Sequence, residues 1–109
     1  MIRATFLSKN NIYSLTVFGH ANYAEYGEDI VCASVSALTT ATVNEIAKYI
    51  DTIVVRGNDI QLSFVAVQTS QSPIDHHLFR LYEMLKENFL EIEQHYPENL
   101  KVEVHENES

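Results

Sequence analysis

The chain has 109 residues, enough for one hydrophobic core and too few for two. With 46% hydrophobic and 20% charged residues, three glycines and two prolines, it is neither disordered nor collagen-like. The formal net charge of -8 argues against a nucleic-acid partner, and the single cysteine, Cys32, excludes an intrachain disulfide or a cysteine-based zinc cluster.

The first residues, MIRATFLSKNNIYSL, carry Arg3, Ser8 and Lys9, which interrupt the apolar run that a signal peptide requires. No apolar run approaches the ~20 residues that span a bilayer. The expectation is a cytoplasmic single domain, residues 1–109, with no membrane contact; one cysteine suits a reducing compartment. Ile2, Ala4 and Phe6 alternate with Arg3, Thr5 and Leu7, the period of a strand. LSKNN is a polar turn, and Ile12 to Phe18 is a second strand, antiparallel to the first. Gly19 ends it.

Residues 20–29, HANYAEYGED, have no period and predict an exposed loop. Val31, Val35, Leu38, Thr42, Ile46 and Tyr49/Ile50 then predict a helix over 30–50, with Asp29 as its N-cap. Ile53 to Arg56 reads as a strand and Gly57-Asn58-Asp59 as a hairpin turn. Ile60, Leu62, Phe64 and Ala66 share one face of a fourth strand. Ser72 and Pro73 open a second helix with a buried stripe of Ile74, Leu78, Leu81, Leu85, Phe89 and Ile92, which Pro97 ends. Leu100, Val102 and Val104 alternate as a last strand before an acidic tail, HENES. The order ββαββαβ predicts an α+β two-layer sandwich, two helices on one face of a mixed, mainly antiparallel sheet. The opposite face then needs a cover, which a second copy would supply as a homodimer.

Two residues could carry chemistry. His20 sits where a strand runs into a loop, and Cys32 sits in the first turn of the first predicted helix. Free amides and the dipole at a helix N-terminus favour a thiolate, as does a neighbouring protonated histidine. The same amides suit an oxyanion hole. Ser36 and Thr39/Thr40 lie with Cys32 on a small polar face beside the apolar stripe. A lone cysteine on a half-apolar helix equally suits a small core residue. His76-His77 point about 100° apart on a helix and cannot easily share a metal, and neither Asp75 nor His95 completes a ligand set. Glu83, Glu87, Glu91 and Glu93 read as a solvated face. These spacings predict no metal, and with no glycine-rich phosphate loop nucleotide binding has no support, so no cofactor is expected.

The block Gly19-His20-Ala21, then Gly27-Glu28-Asp29-Ile30-Val31-Cys32-Ala33 and Val35-Ser36, resembles the ribosomal-processing cysteine protease family (Prp) of bacteria, and the resemblance extends over nearly the whole chain. It implies a nucleophilic Cys32 with His20 as general base, and Asp29, Ser36 and Gly19 in support. It also implies a homodimer with a mobile loop over residues 21–28. The implied substrate is the N-terminal extension of a large-subunit ribosomal protein near the peptidyl-transferase centre, cut after an aromatic residue. In that loop Tyr23 and Tyr26 are placed to stack on the aromatic residue and Gly27 to act as a hinge. Glu25, Glu28 and Asp29 would attract a basic peptide. Ser34 departs from the Ala or Gly usual in members. The alternatives are a non-enzymatic ribosome-associated binding module with a structural cysteine, and a small dimeric ligand-binding domain of ferredoxin-like type.

Overall fold

A computed structural model describes residues 1–19, 26–50, 53–55, 60–65 and 72–106, with the backbone alone described for 26–29, 53–55 and 60–65. Seven elements follow in the expected order: β1 (Ile2–Lys9), β2 (Ile12–Phe18), α1 (Tyr26–Ala47), β3 (Ile53–Val55), β4 (Ile60–Val65), α2 (Pro73–His95) and β5 (Leu100–Glu106). The strands form one sheet in the order β3-β4-β2-β1-β5. Every pairing is antiparallel except β1 with β5, which is parallel and sets Ile2 against Leu100 and Ala4 against Val102. The fold is α+β with a mixed, mainly antiparallel sheet.

The first hairpin is tighter than LSKNN suggests. Leu7, Ser8 and Lys9 remain in β1, and Lys9 pairs with Ile12 across two residues. Asn10 and Asn11 have φ of 52° and 67°, the left-handed pair of a type I′ turn, whose twist matches that of the strands. Asparagine tolerates that region better than most residues.

Alternation along β1 and β2 buries Ile2, Ala4, Phe6, Tyr13, Leu15 and Val17 on one face. Both helices add to the same core: Val31, Val35, Val43 and Ile46 from α1, and Leu78, Tyr82, Leu85 and Phe89 from α2. Aromatic rings run through its centre edge to face. Phe6 meets Phe89 at 5.4 Å and Tyr82 at 5.5 Å, and Tyr13 meets Tyr82 at 5.0 Å. The Tyr82 hydroxyl lies 3.0 Å from Ser14 O and 3.3 Å from Leu7 O, tying α2 to the hairpin backbone. On the opposite sheet face Leu7, Ile12 and Phe18 are 40%, 49% and 43% exposed.

Several expectations are corrected. Ile74 is 47% exposed, Leu81 and Ile92 are partly buried, and Tyr82 and Lys86 are buried instead. Tyr49 and Val104 are exposed. The Ser72 side chain makes no cap hydrogen bond; its carbonyl accepts from His76 N–H at 3.2 Å. His105 and Glu106 belong to β5, not to a tail. α2 ends at His95, two residues before Pro97, because the residue before a proline is pushed out of the helical region. Arg56, the turn at 57–59, Ala66 and residues 107–109 lie outside the described residues. Finally, Ile30–Ala47 is long and apolar enough, by length and composition, to cross a membrane, contrary to the reading from apolar runs. Its valines and Ile46 are core residues here, so part of that apolarity is used in packing.

Candidate functional site

β2 delivers the chain to the site through Gly19, whose φ is +87°. A Cβ built there would lie 2.5 Å from Met1 O, so the backbone passes too close to β1 for any side chain. His20 follows directly in sequence. It lies outside the described residues, as do Ala21, Tyr23 and Glu25.

α1 begins at Tyr26, earlier than the sequence suggests. Tyr26, Gly27 and Glu28 are therefore helical, which shortens the expected loop over 21–28. Asp29 is the fourth helical residue and not the N-cap. Acidic residue types are favoured in the first turn, where they complement the positive end of the helix, so Glu28 and Asp29 suit an early start.

This changes the chemistry available at Cys32. The cysteine is the seventh helical residue and stands in the second turn. The unpaired amides of a helix belong to its first residues, here 26–28, roughly 6 Å along the axis from residue 32. The Cys32 amide is inside the helical ladder, and the dipole acts mainly within the first turn. Free-amide activation of the thiol and an oxyanion hole from those amides therefore lose their geometric basis.

Cys32 is half-buried and packs against the core, next to the buried Val31 and Val35. Ser36, one turn on, is also half-buried. Of the expected small polar face beside the apolar stripe, Thr40 is exposed but Thr39 lies within the core. Thr39 is fully buried, and its hydroxyl has no hydrogen-bond partner among the described residues. Thr42, also buried, donates from Oγ1 to Leu38 O at 2.8 Å. The site is thus a thiol at the rim of the core, on a rigid 22-residue helix.

Several other titratable groups form structural contacts. His77 is not simply solvated: its Nε2 lies 3.5 Å from Glu45 Oε2 and its ring meets Tyr49 edge-on at 4.9 Å, joining α2 to α1. A Lys48 hydrogen bond holds the Glu45 carboxyl below the ordinary range. Lys86 bridges Glu83, at 2.9 Å, and Glu106. Sequence reasoning missed this cluster, because an i, i+3 glutamate is visible in the sequence but the β5 carboxylate is brought by the fold. Among the described residues, no three His, Cys, Asp or Glu side chains are grouped to hold a metal.

Comparison with known proteins bears on the same residues. The family model described as cysteine protease Prp matches residues 1–101. The ribosomal processing cysteine protease Prp of Bacillus subtilis (strain 168) is 44% identical over 48 residues, 42% of this chain. The aligned stretch spans 43% of that relative's length. Among solved structures, the essential ribosomal processing protease Prp of S. aureus, in complex with a substrate peptide, matches with a TM-score of 0.75. It is 22% identical, over 95% of this chain and 99% of that one. SMU.848 of Streptococcus mutans matches with a TM-score of 0.72 and 25% identity, over 98% of this chain and 99% of that one.

Proposed function

The chain belongs to the cysteine protease Prp family, and on that premise we propose that it is an endopeptidase whose nucleophile is Cys32 and whose general base is His20. The observation that carries this reading is the family match over residues 1–101, which spans both residues in a chain with one cysteine. A thiol at the rim of a core, on a long helix, is held in place while one side remains open to substrate.

The thiolate attacks the scissile carbonyl carbon, and His20 takes the thiol proton and passes it to the leaving amine. Water then hydrolyses the thioester and regenerates the thiol. Asp29 and Ser36 support the pair from the same helix, and Gly19 fixes the path of the chain into His20. Because the Cys32 amide is already bonded within α1, oxyanion donors must come from elsewhere than the Cys32 turn. The substrate is the N-terminal extension of a large-subunit ribosomal protein, cut after an aromatic residue that stacks on Tyr23 and Tyr26. A basic extension suits a chain of net charge -8. We place the enzyme in the cytoplasm as a homodimer, with the exposed Leu7, Ile12 and Phe18 face available for the second copy.

Incubating the protein with the extended ribosomal protein and weighing the products tests this. One cut after an aromatic residue is expected, lost in both Cys32→Ala and His20→Ala. Full cleavage by Cys32→Ala would overturn the assignment. The packing of Cys32 against the core also suits a binding module with a structural cysteine; on that reading the wild-type protein binds the extension and leaves it uncut.

A further inference from the structure

β3 and β5 are the edges of the sheet, and β5 is the longer, with seven residues against three. An edge strand turns alternate N–H and C=O groups outward and is a template for pairing with another chain. Along β5 the outward donors belong to the even-numbered residues. Leu100 N–H donates to Tyr96 O at 3.1 Å, away from β1. Two residues on, Val102 N–H donates to Glu93 Oε2 at 2.8 Å. Glu93 comes from α2, not from a strand. Its carboxylate takes the position that a carbonyl of a sixth strand would occupy. A groove of about 400 Å³ lies beside this contact, lined by Leu90, Glu93, Gln94, Pro97 and Lys101.

The strand that fits this edge is a second β5. Antiparallel pairing about a two-fold axis at Val102 sets Val102 against Val102 of the other copy, with both N–H groups turned inward to the new ladder. The same register sets Lys101 against Glu103 and Leu100 against Val104, twice each. Opposite charges directly across an antiparallel pair stabilise it, as do the apolar pairs. The segment Leu100-Lys101-Val102-Glu103-Val104 is therefore self-complementary in a phase that its outward amides allow, with the Val102 amides carrying the ladder while the Leu100 amide stays with Tyr96 O.

We propose that Glu93 guards the β5 edge: by occupying the Val102 amide it keeps two copies of this chain from joining through β5. This inference does not rest on the protease reading.

Light scattering on Glu93→Ala, measured beside wild type at the same concentration, tests it. Glu93→Ala is expected to reach at least twice the wild-type mass, since every copy, within the proposed homodimer or alone, carries its own β5 edge for a new two-fold contact. Glu93→Gln, whose side-chain oxygen accepts the same bond, is expected to keep the wild-type mass. Adding Lys101→Glu to Glu93→Ala should abolish the association, and adding Glu103→Lys as well should restore it. A Glu93→Ala protein with wild-type mass, or an association indifferent to residue 101, would overturn the proposal. Should Glu93→Ala fold poorly, Glu93→Ser takes its place, and a peptide of residues 100–106 provides the readout. The peptide should shift the Val102 amide resonance in the variant and leave it unmoved in wild type; equal shifts in both would overturn the proposal.

Discussion

Replacing Gly19 by alanine sets two costs at one atom. The backbone φ of +87° is one that L-residues with a Cβ rarely adopt, and the new methyl would lie 2.5 Å from Met1 O. A non-glycine residue in the left-handed region costs about 1–2 kcal/mol. The contact adds to it, because the obstacle is backbone and is held from behind. Ile2 N–H donates to Asn99 O at 2.9 Å, and Ile2 pairs with Leu100 in the sheet, so Met1 O cannot swing away freely. Together the two effects should remove about 2–4 kcal/mol. For a domain of this size that lowers Tm by ~10–20 °C. Urea unfolding of wild type and Gly19→Ala measures the difference, and Gly19→Asn separates the causes. Asparagine tolerates the left-handed region but carries the same Cβ, so a loss close to that of alanine assigns most of the cost to Met1 O. Because His20 is the next residue, cleavage should fall along with stability. A loss below ~0.5 kcal/mol, the range of an unremarkable surface change, would refute the steric account.

Stability should fall steeply at alkaline pH. Burial pushes the Tyr82 phenol up, and the charges of Glu106 and Glu83 push the same way. Burial alone would pull the Lys86 ammonium down, but hydrogen bonds to Glu106 and Glu83 outweigh it and raise it above 10.5. Both groups hold protons more tightly when folded, so their contribution is complete below pH ~10 and is lost as pH rises through the folded values. Thermal melts from pH 8 to 11 should show this decline, shallower in Tyr82→Phe; a flat profile would contradict it. Two buried threonines of α1, Thr39 and Thr42, should respond differently to valine. Thr39→Val removes a buried hydroxyl with no partner among the described residues and should raise stability by about 1 kcal/mol. Thr42→Val loses its bond to Leu38 O and should gain nothing. Urea titrations of both decide, and a destabilised Thr39→Val would mean that the hydroxyl has a partner.

The order of elements was legible because it is local. Alternation in β1 and β2, the Asn10-Asn11 turn, Pro73 at the head of α2 and Pro97 beyond its end each declare themselves within a few residues. The start of α1 was not, since YGED reads as loop by composition and as a first helical turn by charge, and a helix capped by Asp29 would set Cys32 one turn nearer its N-terminus than it stands. Which residues of a stripe are buried depends on the neighbouring layer: Tyr82 and Lys86 find partners on β1, β2 and β5, whereas Ile74 finds none deep enough. The Glu93 contact with Val102 joins residues nine apart through a turn and an edge, and no periodicity announces it. The single cysteine and the Gly19-His20-Ala21 block identified the candidate site from the sequence, and the helix register then limited how Cys32 can be activated.

β1 lies between β2 and β5, yet its two neighbours are far apart in the order of synthesis. β2 follows it after a two-residue turn, while Leu100, the partner of Ile2, comes 98 positions later. During translation the hairpin can close early, but the far side of β1 stays bare until residues 100–106 are made. Until then β1 is itself an open edge that carries Ile2, Ala4 and Phe6, residues later buried in the core. A nascent chain that stalls before residue 100 should therefore be held from completing its sheet, and should present chaperones or other stalled chains with an apolar strand that the finished protein never shows.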